Sequence, residues 1–154
     1  MDPTNSSTLY AGTQNNGIFK SVDGATTWTA ASSGLTGTAT RVFAIAIDPR
    51  TPSILYAGRN GSGVFKSTDG AATWNATAIK GTNFAPVIDP VTPTTVFACQ
   101  NAVQAAKSVD GGATLNRVVG GFPNQTINAF AIDPSTPSPV YIGAANGPRR
   151  CQGL

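Results

Sequence analysis

The segment Ser67-Thr68-Asp69-Gly70-Ala71-Ala72-Thr73-Trp74 decides the architecture of this chain, because close copies of it recur along the sequence. The segment 21–28 reads Ser-Val-Asp-Gly-Ala-Thr-Thr-Trp, and the segment 108–115 reads Ser-Val-Asp-Gly-Gly-Ala-Thr-Leu. Each Asp-Gly pair predicts a tight turn, since Gly tolerates positive φ and Asp accepts hydrogen bonds from nearby backbone N–H groups. We call 21–28, 67–74 and 108–115 the repeated turns.

The sequence that surrounds each turn also repeats. An Asp-Pro pair opens each unit at Asp2, Asp48, Asp89 and Asp133, so successive units are 46, 41 and 44 residues long. Around the second Asp-Pro pair, strand-forming residues fill the segments 41–47, 53–58, 63–67 and 73–78, and turn residues separate them. A period of about 40–50 residues with four short strands is typical of the blades of a β-propeller.

These units predict an all-β fold of four-stranded antiparallel blades. The units start near residues 1, 47, 88 and 132, and together they form one partial propeller domain over 1–147. The chain opens at the second strand of one blade and closes with the first two strands of another, which makes 13 strands, or about three blades. Residues 148–154 form an atypical tail, because the repeat predicts Gly-Val-Phe-Lys-Ser after Asn146-Gly147 and the sequence departs from it.

Composition excludes several classes of protein. Of 154 residues, 40% are hydrophobic and only 11% are charged, with 17 Gly and 11 Pro, which favours short strands and turns over helices or disorder. No apolar run approaches the ~20 residues of a membrane helix, so we expect no membrane partner. The pI is near 9.1, but the basic residues are scattered, so we expect a solvated surface and no nucleic-acid partner.

The two cysteines do not indicate a disulfide framework, a metal site or a cofactor. Cys99 lies in a predicted strand, where a small buried hydrophobic residue is the usual role, and Cys151 lies in the tail.

The repeated turns resemble the Asp-box, or bacterial neuraminidase repeat, whose pattern is Ser-x-Asp-x-Gly-x-Thr-Trp. The resemblance covers nearly the whole chain, and the same repeat occurs in xyloglucanases, sortilin-type receptors and photosystem assembly factors. It implies a propeller fold and a secreted or periplasmic protein, although no signal peptide is visible. It implies little about activity, because many unrelated functions share the repeat.

The turns depart from the family pattern at a few positions. The glycine of the pattern is Ala25 in the first turn and Ala71 in the second, and the tryptophan is Leu115 in the third. The third unit also has 104–106 as Gln-Ala-Ala where the second has Gly-Val-Phe. We expect looser packing at the outer edge of this unit, as the result either of decay or of a specialised surface.

The most regular residues of the turns are expected to be structural. Their Ser and Asp side chains can bond the turn backbone, and their Trp rings bury apolar area against the blade. This structural set comprises Ser21, Asp23, Trp28, Ser67, Asp69, Trp74, Ser108 and Asp110. Isolated carboxylates of this kind are poor calcium ligands, so no metal site is predicted.

The charge inventory argues against catalysis. There is no His and no Glu, and all seven acidic residues are Asp that belong either to Asp-Pro loops or to the repeated turns. Ordinary acid–base catalysis therefore has almost no candidates, and no catalytic residue carries over from sialidases or xyloglucanases. The sequence favours a non-catalytic module. The alternative is a hydrolase whose site forms between subunits in the central channel.

Binding residues are expected at the loops that enter each innermost strand and in the loops between the second and third strands. Amides and guanidiniums there suit sugar hydroxyls, carboxylates or phosphates, and a glycan or a protein is the predicted ligand. The candidates are Gln14, Asn15, Asn16, Arg41, Arg59, Asn60, Asn83, Gln100, Asn101 and Asn128, with Phe122 as the one loop aromatic.

About three blades leave open edges, which predicts self-association. The segment 127–132 could complete the opening blade of a partner, so that two chains form a six-bladed ring. A ring of eight blades, four from each chain, is the alternative.

Overall fold

The computed structural model describes residues 1–35, 41–80, 85–100, 104–118, 127–134, 140–144 and 147–151. The regular elements of these residues are all β-strands, fourteen in number. The first seven are β1 (Leu9–Gly12), β2 (Ile18–Ser21), β3 (Thr29–Ala30), β4 (Val42–Ile47), β5 (Leu55–Arg59), β6 (Gly63–Ser67) and β7 (Asn75–Ala76). The others are β8 (Val87–Ile88), β9 (Val96–Gln100), β10 (Gln104–Ser108), β11 (Asn116–Val118), β12 (Ile127–Ile132), β13 (Val140–Ala144) and β14 (Gly147–Cys151).

The strands form four antiparallel sheets, and each sheet contains consecutive strands in chain order. The first sheet is β1-β2-β3, the second β4-β5-β6-β7, the third β8 to β11 and the fourth β12-β13-β14. The four sheets begin at Leu9, Val42, Val87 and Ile127. The fourteenth strand is an addition to the expected thirteen, because residues 147–151 pair with β13, so most of the predicted tail continues the fourth sheet.

The predicted strand boundaries of the second unit lie close to the observed ones, except at the outermost strand. The segment 73–78 was expected there, whereas β7 contains only Asn75 and Ala76. Thr73 belongs to the turn, because its backbone N–H donates to the Asp69 carboxylate at 2.9 Å.

The core lies between neighbouring sheets. Side chains of a strand alternate between its two faces, so β5 contributes Leu55 to one cluster and Tyr56 to the next. The first cluster joins Ile18 and Trp74 across the first two sheets, and the second joins Tyr56 with Val96 across the next two. The sheets are therefore stacked face to face, and the second is covered on both faces.

Each repeated turn is held by the same hydrogen bonds. In the second turn, Ser67 Oγ donates to Asp69 Oδ1 at 2.8 Å and accepts from the Ala71 N–H at 2.9 Å. The equivalent bonds of the first and third turns have closely similar lengths. Ala25 and Ala71 adopt φ of 74° and 71°, the left-handed conformation that Gly112 adopts in the third turn.

The two tryptophans of the turns have different environments. Trp74 is 2% exposed, and its Nε1 donates to the Ala31 carbonyl of the first sheet at 2.8 Å. Trp28 is 40% exposed, so the expectation that it is buried was wrong. The reason is that a tryptophan at this position of a turn packs on the preceding sheet, as Trp74 does. In the described part of the chain, no sheet precedes the first.

The pKa values of the carboxylates in the repeated turns are lowered in the folded chain. The side-chain hydrogen bonds from Thr27, Thr73 and Thr114 are the main cause that lowers the pKa of Asp23, Asp69 and Asp110 from 3.8 to about 2. Backbone N–H groups of the same threonines and the Ser hydroxyls of the turns act in the same direction.

Acid should therefore destabilise the fold through these turns. Because the pKa values are lower in the folded chain, the stabilisation is complete above about pH 5 and is lost as the pH falls from about 4 towards 2. Thermal unfolding between pH 6 and pH 2 should show a falling midpoint, and D69N should reduce that fall. A midpoint that is independent of pH in this range would contradict the assigned turn chemistry.

Ala25 and Ala71 both adopt the left-handed conformation. Replacing each of them by glycine should separate the effect of backbone strain on stability from the effect of side-chain packing. A residue with a Cβ costs roughly 1–2 kcal/mol in the left-handed conformation. A glycine costs roughly 0.5–1 kcal/mol because it loses more chain entropy on folding. The difference predicts that A25G stabilises the folded chain by about 0.5–1 kcal/mol. A71G should be close to neutral, because Ala71 is buried and its methyl group contributes about 0.8 kcal/mol. Urea unfolding of both variants measures the difference, and equal destabilisation by both would contradict it.

Candidate functional site

The described carboxylates are engaged in backbone turns, which bears on any acid–base role. In the Asp-Pro loops, Asp2 accepts from Thr4 N–H at 2.8 Å, Asp48 from Arg50 N–H at 2.8 Å, and Asp89 from Val91 N–H at 2.8 Å. Asp23, Asp69 and Asp110 hold the repeated turns in the same way. Asp133 opens the fourth loop and also has an interaction partner.

Neighbouring sheets are joined by one recurring contact, which we call the clasp. A Tyr hydroxyl and a Lys ammonium of one sheet both donate to the Gly carbonyl in the repeated turn of the next sheet. Tyr56 and Lys66 each lie 3.1 Å from the Gly111 oxygen. Tyr10 and Lys20 lie 3.4 and 2.9 Å from the Gly70 oxygen.

In the clasp between the second and third sheets, the Tyr56 hydroxyl stays protonated. Burial, followed by the negative charges of Asp48 and Asp110, raises the pKa of Tyr56 to about 12. The Lys66 ammonium lies 5.4 Å from the centre of the Tyr56 ring and so adds a cation–π contact. The hydroxyl is therefore a permanent donor to the next sheet at physiological pH.

Two shallow grooves run beside the clasps. One of about 220 Å³ is lined by Lys20, Asp69 and Gly70 among others, and one of about 330 Å³ is lined by Tyr56, Lys66 and Asp110 among others. Their polar walls consist largely of groups that already serve the clasp or the turn. These grooves lie at the repeated turns, away from the predicted binding loops.

Several predicted binding residues do meet along one edge of the first two sheets. The Thr13 carbonyl accepts from the Val42 N–H at 2.9 Å, and the Arg41 carbonyl accepts from the Asn60 N–H at 3.1 Å. These bonds place the exposed loop 14–16 and the exposed Arg41 at the same edge, with the partly exposed Asn60 beside them. We call Gln14, Asn15, Asn16, Arg41, Phe43 and Asn60 the loop edge.

The loop edge includes an aromatic ring that sequence reasoning missed. Val42 pairs with Arg59 and Ala44 pairs with Gly58, so Phe43 is the extra residue of a β-bulge in β4. Bulges re-aim side chains, and Phe43 is 39% exposed although it lies in a strand. The Arg41 guanidinium lies 4.4 Å from the centre of its ring, within the range of a cation–π contact.

Arg59 does not belong to the exposed set. It ends β5, is only 2% exposed, and places its guanidinium 5.1 Å from the centre of the Phe65 ring. Burial lowers its pKa from the ordinary value. The structure therefore gives Arg59 an interior role, and this candidate is corrected because the loop begins one residue later than expected.

The remaining candidates lie either in strands β9 and β12 or outside the described residues. Asn83, Asn101 and Phe122 lie outside the described residues, and Gln100 ends β9. Asn128 is the extra residue of a bulge in β12, the same backbone position that Phe43 occupies in β4. The bulge is thus a repeated feature of the first strand in two sheets.

The described ranges contain no group of three or more His, Cys, Asp or Glu side chains that could hold a metal ion. In these ranges there is also no helix long and apolar enough to cross a membrane.

Comparison with known proteins places this geometry in a known fold. No protein-family model matches the chain, and no curated protein sequence matches it. Among solved structures, an ancestral GH74 enzyme is similar over 97% of this chain and 22% of its own, with a TM-score of 0.83 and 20% identity. The GH74 enzyme of Niastella koreensis is similar over 92% of this chain and 24% of its own, with a TM-score of 0.75 and 26% identity.

A third similar structure, YCF48 bound to D1 peptide, covers 91% of this chain and 46% of its own, with a TM-score of 0.64 and 12% identity. The chain thus spans about a quarter or less of the two GH74 enzymes that it matches. The described strands and these likenesses together establish an all-β chain of antiparallel β-propeller blades.

Proposed function

We propose that the chain is a non-catalytic, self-assembling propeller module that binds a glycan at the loop edge. The exposed Phe43 ring, aimed outward by the bulge and stacked by Arg41, is the observation that carries this proposal. We further assign the repeated turns to the Asp-box repeat, on the match of their Ser, Asp and Thr positions to its pattern.

The chemistry of the loop edge suits a sugar. An aromatic face offers an apolar platform for the C–H groups of a pyranose ring, while amides donate to and accept from its hydroxyls. Gln14, Asn15 and Asn16 supply such amides on an exposed loop that the Thr13 hydroxyl organises, since it accepts from the Asn16 N–H at 2.9 Å. The guanidinium of Arg41 adds donors at the rim of the ring.

The assignment as non-catalytic is supported by the carboxylates. Without His or Glu, acid–base chemistry would depend on Asp, and six of the seven Asp have oxygens that accept backbone N–H groups of their own turns. Their roles in the fold leave no pair of carboxylates at the loop edge.

A hydrolase is the second candidate, and the similarity to GH74 enzymes is the observation that favours it. Its site would lie in the central channel between subunits. Release of reducing ends from xyloglucan, lost in R41A while the fold and the solution mass are unchanged, would favour the hydrolase over the binding module.

Glycan binding is tested by titration of the chain with xyloglucan oligosaccharides, the ligand class of the xyloglucanases that the sequence resembles. F43A should weaken binding by about tenfold, or 1.4 kcal/mol, through loss of the platform, and R41A by a smaller factor. R50A is the matched control. Arg50 is an exposed arginine like Arg41, but it lines the groove beside Tyr56 and Asp110 and does not belong to the loop edge.

Equal affinity of F43A and the unchanged chain would refute the loop edge as the glycan site. Binding of an extended peptide in place of the oligosaccharide, with the same sensitivity to F43A, would assign the edge to a protein ligand.

A further inference from the structure

The first sheet presents an acceptor half of the clasp that nothing in the described chain occupies. A Cβ added at Gly111 would lie 2.7 Å from the Lys66 Nζ, and one at Gly70 would lie 3.4 Å from the Lys20 Nζ. A Cβ added at Gly24, the same position of the first turn, would meet nothing within 4 Å. The first turn thus has the same backbone as the other two without the donors that cover them.

Trp28 belongs to the same open surface. The equivalent residue of the second turn is Trp74, whose ring is almost fully buried against the first sheet. The backbone N–H of Trp74 donates to the Ser33 carbonyl at 2.9 Å. Trp28 has the same place in its turn and is two-fifths exposed. We call Gly24 and Trp28 the acceptor face, since both positions are covered by a neighbouring sheet wherever such a sheet is present.

The fourth sheet presents the complementary donor half. Tyr10 of β1 pairs with Lys20 of β2, Tyr56 of β5 with Lys66 of β6, and Phe97 of β9 with Lys107 of β10. In the fourth sheet Tyr141 pairs with Arg150 in the same backbone register. Tyr141 is 44% exposed, whereas Tyr56 inside a clasp is 1% exposed.

We propose that the fourth sheet of one chain docks on the acceptor face of a second copy, with Tyr141 taking the role that Tyr56 has within the chain. The Gly24 carbonyl then accepts from the Tyr141 hydroxyl, and Trp28 is buried against the docked sheet. The contact is head to tail, so two copies close on themselves when both contacts form.

The pairing of β12 favours eight sheets over six in such a ring. In a six-sheet ring, β12 would complete a partner's first sheet by pairing with the partner's β1. That pairing would use the edge of β12 that β13 already occupies from Ile127 to Ile132. Docking of intact sheets leaves this pairing in place. The inference rests on self-assembly in the proposed function and is independent of the glycan site.

Light scattering after size exclusion, over a range of concentrations, tests the proposal on the 154-residue chain. We expect a mass of twice 15.7 kDa. W28A and Y141F should each shift the chain towards monomer, with the W28A dissociation constant raised roughly thirty-fold, as for a central interface residue. F43A should leave the mass unchanged, so failure of the glycan site and failure of the assembly are distinguishable.

A comparison of the two tryptophans guards against loss of folding. W74A removes a ring buried inside the chain and should lower the thermal midpoint of the monomer, whereas W28A should retain the strand signal in circular dichroism and change only the mass. Acrylamide should quench Trp28 fluorescence less at high protein concentration than at low concentration. A stable monomer at all concentrations would overturn the proposal.

Mixing tests the head-to-tail arrangement. W28A retains its donor sheet and Y141A retains its acceptor face, so a mixture should form a mixed dimer that neither variant forms alone. A dimer that W28A abolishes and Y141A leaves intact would overturn the proposal, because it would indicate contact between two first sheets.

Discussion

The glycine carbonyl of the second and third repeated turns is the point at which the preceding sheet is attached. It is an acceptor at the end of a buried interface, and it receives two donors, a neutral hydroxyl and an ammonium, from the neighbouring sheet. Buried acceptors without partners are costly, so the turn and the Tyr-Lys pair depend on each other. The Ser-Asp-Thr bonds that shape the turn present this carbonyl outward, and the tryptophan beside it fills the same interface.

This arrangement explains why one small motif can organise the whole chain. The second sheet carries its Tyr-Lys donors on one face and a turn with its acceptor on the other, so sheets of this kind stack in one direction only. The arrangement also separates the structural face from the binding face. The turns and grooves take up the carboxylates, while the exposed aromatic ring and amides lie at the loop edge, where the bulge in β4 directs Phe43 outward.

Much of this follows from the sequence, and the exceptions have physical reasons. The all-β antiparallel fold, and the limits of the three inner strands of the second sheet, could be predicted because apolar segments and turn residues recur in register. The exposure of Phe43 could not, because a bulge depends on pairing with β5 and leaves no mark in a run of apolar residues. The interior position of Arg59 depends on a strand that extends one residue further than expected. The exposure of Trp28 depends on a neighbouring sheet. Strand β14 was missed because residues 148–151 depart from the repeat, although they pair with β13. Pro148 is accommodated because β14 is the outer strand of its sheet in the described chain.

On the proposed docking, a neighbouring sheet covers the first turn as it covers the second and third turns. Hydrogen exchange at several protein concentrations measures this directly for each turn. We expect the amides of 21–28 and of Tyr141 to gain protection as the protein concentration rises, while those of 67–74 are protected at every concentration. Exchange in 21–28 that is fast and independent of concentration would contradict it.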